Sequence, residues 1–242
     1  MTNKIGFCFK LAIFALSACA VLATMFAPAA YGDDCCAPIS VQGADFGDVF
    51  AGEGTELEPF LIGTTQDLIN LASVVNEGNT AAGLFFRMTR DVDISSVAWV
   101  PIGRDQNNVF SGNFDGDGHK ITGLNIPASM GLQYAGLFGV VSNAVFRNLT
   151  VEIDETGINI YPAAIVYAGG IAAHGTNVEI INCHVSGNIS VDYIENPTGY
   201  RGARAGGIVG YAEGLYLSSS SFAGEVKSSS VFSSNLGGLA GY

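Results

Sequence analysis

The most site-like spacing in the 242-residue chain is Asp115-Gly-Asp117-Gly-His119, two carboxylates and an imidazole within five residues. Carboxylate oxygens so placed could ligate a calcium ion. The run lacks the third acidic position and the distal Glu of an EF-hand loop, and Gly116 with Gly118 supplies what a tight turn between strands requires. A structural turn is therefore favoured over a metal site at Asp115 and Asp117, and no cofactor is expected.

Histidine is scarce: His119, His174 and His184 form no His-Glu-x-x-His pair, so the chain carries no zinc-protease motif. There is no Gly-x-Ser-x-Gly elbow and no glycine-rich phosphate loop ending in Lys-Ser/Thr. Glycan hydrolysis or elimination would need carboxylates converging on one face. Once the repeats are aligned, Glu152 falls on Ser186 and Ala223, and Glu179 falls on Tyr216, so the acids do not stack. The expectation is a protein without catalytic activity, with a glycan-active enzyme as the alternative. Recognition chemistry is better represented, because the insertion Asp192 to Arg204 gathers Tyr193, Tyr200, Arg201 and Arg204, and Tyr with Arg is enriched at hot spots. These four are the candidate binding residues, for a surface glycan or a protein ligand. The competing reading is a solvated loop.

What must position them is a repeat. Gly136-Leu-Phe-Gly139, Gly170-Ile-Ala-Ala173, Gly207-Ile-Val-Gly210 and Gly238-Leu-Ala-Gly241 recur at spacings of 34, 37 and 31 residues. A unit too short to bury its own apolar face must stack on its neighbours. Aligned on these glycines, Phe146 falls on Ile180 and Leu217, Asn148 on Asn182 and Ser219, Leu149 on Cys183 and Ser220, and Val151 on Val185 and Phe222. Such columns are what stacked parallel strands would turn into ladders, apolar inside and Asn or Ser at the turns. The spacing leaves open whether one repeat makes one coil or nearly two.

Before the repeats, Thr64 with Asp67 reads as a capping box, and Leu68, Leu71, Ala72 and Val75 follow at helical spacing until Gly78. That predicts a helix of about three turns covering the first coil. Leu84 to Met88 and Val92 to Ile94 read as short strands. The resulting division is a signal segment 1–32, an extended lead-in 33–58, a cap with helix and first strands 59–98, and repeats 99–242.

Lys4 and Lys10 precede an apolar run from Leu11, and Ala27-Pro28-Ala29 has the small residues of a cleavage site, which predicts export. An uncleaved anchor and a lipid-modified Cys19 in Leu16-Ser17-Ala18-Cys19 are the alternatives. Cleavage leaves 8 basic against 22 acidic residues, a charge of −14. An acidic chain with no basic stripe disfavours nucleic acid and anionic lipid as partners. Cys35 and Cys36 are adjacent, too close at Cα for an unstrained disulfide, and Cys183 reads as a small buried residue.

The run containing Trp99-Val-Pro-Ile-Gly103, Phe114-Asp-Gly-Asp-Gly-His119, Gly136-Leu-Phe-Gly139 and Arg147-Asn-Leu149, followed by the later glycine phrases, resembles secreted bacterial proteins carrying the GLUG repeat. Glu58-Pro-Phe-Leu-Ile62 and the Asp67-Leu68 helix also look like the segment leading into such repeats, so the likeness covers roughly residues 50 to 242. It implies an all-β, right-handed parallel β-helix on a cell surface or in the medium. Proteins of this kind are adhesin-like, or form non-catalytic regions of IgA-specific metalloendopeptidases. In that setting Gly136, Gly139, Gly170, Gly207, Gly210, Gly238 and Gly241 are structural repeat positions. The chain stops within a fourth repeat, so a further domain downstream, or a partner over that end, is expected.

Overall fold

The computed structural model describes residues 45–160, 165–191, 202–228 and 234–241. The expected signal segment, its expected cleavage site and Cys19 lie outside the described residues, as do Tyr193, Tyr200 and Arg201. Among the described residues no helix is long and apolar enough to cross a membrane.

The chain winds as a parallel β-solenoid with three sheets. Sheet I contains β1 (Phe60–Ile62), β2 (Phe85–Met88), β4 (Asn113–Asp115), β7 (Phe138–Ser142) with β8 (Val145–Arg147), β11 (Ala172–Ile181) and β14 (Val209–Ser218). Sheet II contains β3 (Val92–Asp93), β5 (Lys120–Ile126), β9 (Thr150–Ile160), β12 (His184–Val191) and β15 (Ser221–Ser228). Sheet III contains β6 (Tyr134–Ala135), β10 (Ile165–Gly169), β13 (Gly202–Gly206) and β16 (Ser234–Gly237). The path runs III, I, II and back to III, so β10–β11–β12 and β13–β14–β15 are successive coils. One repeat is one coil. Ile180 pairs with Phe146 and Leu217, and Val185 with Val151 and Phe222, the columns expected from the glycine alignment.

The two corners that flank sheet I use different chemistry. Between sheets I and II, Asn148, Asn182 and Ser219 take left-handed backbone, φ 51°, 54° and 51°, which Asn tolerates better than most residues. The two asparagine side chains form a ladder with Asp115: Asn182 Nδ2 donates to Asn148 Oδ1 at 2.9 Å, and Asn148 Nδ2 to Asp115 Oδ1 at 3.0 Å. One station inward, Leu149 and Cys183 are fully buried. Ser220 Oγ, in the same column, donates to Ser218 O and accepts from Cys183 N. Burial pushes the Cys183 thiol up to about 11. Cys183 is therefore expected to resist alkylation at pH 8 in the folded protein and to react at the free-thiol rate in denaturant, read by mass spectrometry on its own peptide. Native labelling at the denatured rate would place it outside the core.

Between sheets III and I the repeat glycines work by proximity. None of Gly136, Gly170, Gly207 and Gly210 has positive φ. A Cβ on Gly136 would strike the Gly169 carbonyl oxygen, and one on Gly207 the Phe222 ring and the Gly238 carbonyl. The glycines let successive coils approach where the chain bends.

The predicted helix is α2 (Thr65–Asn76), with the Thr64–Asp67 capping box formed and Leu68, Leu71 and Val75 buried. Such a cap contributes about 1 kcal/mol. The lead-in differs from the extended segment expected, because Asp45 caps a four-residue helix, α1 (Phe46–Val49). Phe46 and Phe50 bury themselves against Phe60 and Phe86, with ring centroids 5.5–6.3 Å apart. Two aromatic anchors without periodicity leave no pattern to detect, yet they hold this segment on the first coils.

Candidate binding face

The Asp115–Asp117 run is a turn. Asp115 Oδ1 accepts from Asp117 N at 2.9 Å as well as from Asn148, and its other oxygen lies 3.8 Å from Arg87 Nε. His119 Nδ1 lies 3.2 Å from Asp91 Oδ1, which also accepts from Lys120 N. The Asp115 carboxylate thus starts the asparagine ladder. Among the described residues no cluster of three or more His, Cys, Asp or Glu could hold a metal ion.

On the outside of sheet I, Arg87, Asp115 and Arg147 occupy one column, edging a cleft of about 80 Å³ with Glu56, Phe85 and Val145. The signs alternate along it, and Arg147 reaches Glu179 at 3.9 Å. These half-exposed pairs contribute at most about 1 kcal/mol each. They leave both arginines beside acids of their own.

The other outer face lies at the corner between sheets III and I. On sheet III, Tyr134, Tyr167, Arg204 and Asn235 stand in one register column. On sheet I, Val140, His174 and Tyr211 stand in another. The two columns meet across the corner as a small apolar cluster separate from the main core, with Tyr134, Val140 and Ala173 buried and Val109 and Tyr167 packed on them.

Within it, Tyr134 and Tyr167 stack at 5.2 Å with ring planes 10° apart, so each covers one face of the other. His174 meets Tyr167 edge-on at 5.0 Å and lies 5.4 Å from Tyr211. Arg204 carries the stack into the next coil, its guanidinium carbon 4.1 Å from the Tyr211 centroid and 5.9 Å from that of Tyr167. Guanidinium on an aromatic face is favourable by about 0.5–2 kcal/mol.

Burial, with the Arg204 charge adding to it and Glu213 opposing, holds His174 below the usual imidazole range. Its Nδ1 is sealed from solvent without a hydrogen-bond partner. Burial raises Tyr134, and donation to Glu213 at 2.9 Å raises Tyr211. The corner therefore holds neutral imidazole and phenols around one cation. Strands pair on both sides of β10 and β11, and β6, which carries Tyr134, is the end strand of sheet III with β10 as its one strand partner among the described residues.

Of the four expected binding residues, only Arg204 falls within the described residues, on β13 in this stack. Its partners were not expected. The His174–Tyr211 column follows from the 37-residue spacing, but the Tyr134–Tyr167 column is hidden. Aligning Gly136 with Gly170 sets Tyr134 against Ala168, whereas the register pairs Tyr134 with Tyr167 and Phe138 with Ala172. The later coil holds one extra residue in its Gly169-Gly170 bend, and the alignment slips there by one.

No family model matches the chain. It is 34% identical over 160 residues to a protein of Evansella cellulosilytica provisionally described as a Gly-rich membrane protein, across 63% of this chain and 17% of that protein. It is 30% identical over 178 residues to halomucin of Haloquadratum walsbyi, across 68% of this chain and 2% of halomucin. The chain thus spans less than a fifth of the length of either relative. A crystal structure from Bacteroides ovatus, provisionally titled an immunoglobulin A1 protease, aligns with 78% of this chain and 86% of that one at 15% identity and a TM-score of 0.30. A TM-score that low bears on neither fold nor function.

Proposed function

We propose that this chain is a section of a secreted or cell-surface β-solenoid that binds its ligand without transforming it, in the manner of an adhesin. Its recognition face is the Tyr134–Tyr167–Arg204 and His174–Tyr211 corner. The observation that carries the reading is this pair of facing columns, which brings together, on the outside of consecutive coils, aromatic rings and an arginine without an ion pair among the described residues. Elsewhere the carboxylates stay dispersed, Glu152 beside Ser186 and Glu179 beside Tyr216 in the ladders. Long relatives named as a membrane protein and a halomucin are consistent with surface placement. An accessory segment of a secreted protease is the second reading, supported by the GLUG-like phrases alone.

The test is retention of the purified chain on a panel of insoluble cell-wall and matrix polysaccharides, with release of reducing ends or peptides followed in parallel. The expected result is retention on at least one without turnover, falling at least fivefold in Tyr211→Ala with circular dichroism unchanged. Turnover of polysaccharide or peptide, or no retention on any member, would overturn the reading.

A further inference from the structure

Of the seven lysines and arginines among the described residues, five stand beside an acid. Arg87 has Asp115, Arg104 has Asp105, Arg147 has Glu179, Lys120 has Glu152 and Lys227 has Glu225, each within 4.0 Å. Among the described residues Arg90 and Arg204 have no such ion pair; Arg90 is exposed, whereas Arg204 is half-buried in a chain whose sequence carries 22 acidic residues. The nearby carboxylate of Glu213 accepts from the Tyr211 hydroxyl instead. A guanidinium lying on tyrosine loses water from its faces and keeps its in-plane N–H groups, a geometry that matches a planar oxyanion.

Resting on the reading of this corner as a binding face, we infer that Arg204 receives the carboxylate of an acidic sugar in a glycan chain laid along the corner. A peptide would find only the two buried residues of the β6 edge here, and Tyr134 and Val140 fill the apolar floor that its side chains would need. A glycan needs a row of polar edges, and the columns supply them: the Tyr167 and Tyr211 hydroxyls, Arg204 and Asn235. Asp105 near Tyr134 and Glu213 beside Tyr211 repel densely charged polymers, so neutral sugars must separate the acidic ones.

The experiment compares retention of the full chain on immobilised hyaluronan, in which acidic and neutral sugars alternate, with pectate, dextran and poly-glutamate. Hyaluronan is expected to retain the native chain best. Arg204→Ala is expected to lose at least tenfold, and Arg204→Lys to recover little of it, because an ammonium cannot stack and fork together. Free glucuronate should displace the native chain where glucose does not, a readout independent of whether a variant folds. Full hyaluronan retention by Arg204→Ala, equal retention on dextran, or preference for pectate or poly-glutamate would overturn the assignment. Retention on dextran that Tyr211→Ala abolishes would sink the acidic-sugar claim alone, whereas no retention on any polysaccharide would remove the binding face with it.

Discussion

Val185→Asp is expected to lower the unfolding midpoint by on the order of 10 °C. Val185 is 2% exposed, stacked between Val151 and Phe222, with its methyl groups against the Gly170 bend. A carboxylate there would have no cation and no water, and must be neutralised or force the coils apart, at a cost of several kcal/mol. That is a large part of the about 5–15 kcal/mol available to a domain. Ser190→Asp on the same strand, where Lys227 occupies the paired position, is the control and should stay within about 0.5 kcal/mol. Calorimetry decides the matter, and similar midpoints for the two variants would show that the Val151–Val185–Phe222 column is not core. Phe222 itself is only half-buried, because β15 has no strand on its far side among the described residues.

The second large effect separates glycines that one motif treats as equivalent. A Cβ on Gly210 would stand 2.5 Å from the Ala173 carbonyl oxygen and 2.7 Å from both N and O of Ala168, backbone atoms of the neighbouring coil that cannot rotate away. Gly210→Ala is therefore expected to cost about 3 kcal/mol, at the upper end for overpacking. A Cβ on Gly238 meets nothing within 4 Å, so Gly238→Ala should be neutral. Chemical denaturation of both variants tests this. Equal midpoints would mean that the coils can spread at the bend, and that the repeat glycines are there for backbone freedom instead of close approach.

The ladders at Phe146–Ile180–Leu217 and Asn148–Asn182–Ser219 were legible because a residue in a parallel solenoid meets the residue one repeat away, so alignment and contact coincide. The capping box at Thr64 was legible for a local reason, since its hydrogen bonds span three residues. Phe46 and Phe50 were not, because nothing about two phenylalanines in a glycine-containing stretch says which surface they will cover. The turn at Asp115–Asp117 was legible from Gly116 and Gly118, but the Asn148 amide that Asp115 also accepts from comes from the next coil and leaves no local trace.

Parallel winding and the set of inward-facing side chains are written in the repeat, because apolar burial and backbone pairing act along columns that its length fixes. One coil per repeat is not, since spacings of 34 and 37 residues suit one coil or nearly two until the strand register is known. The outer corner likewise took shape in folding alone. Which side chains meet there depends on the angle between two sheets and on a bend that absorbs one extra residue at Gly169-Gly170, and that slip brings Tyr134 onto Tyr167. Contacts between different sheets have no period along the chain, so the surroundings of Arg204 became visible only once the coils were closed.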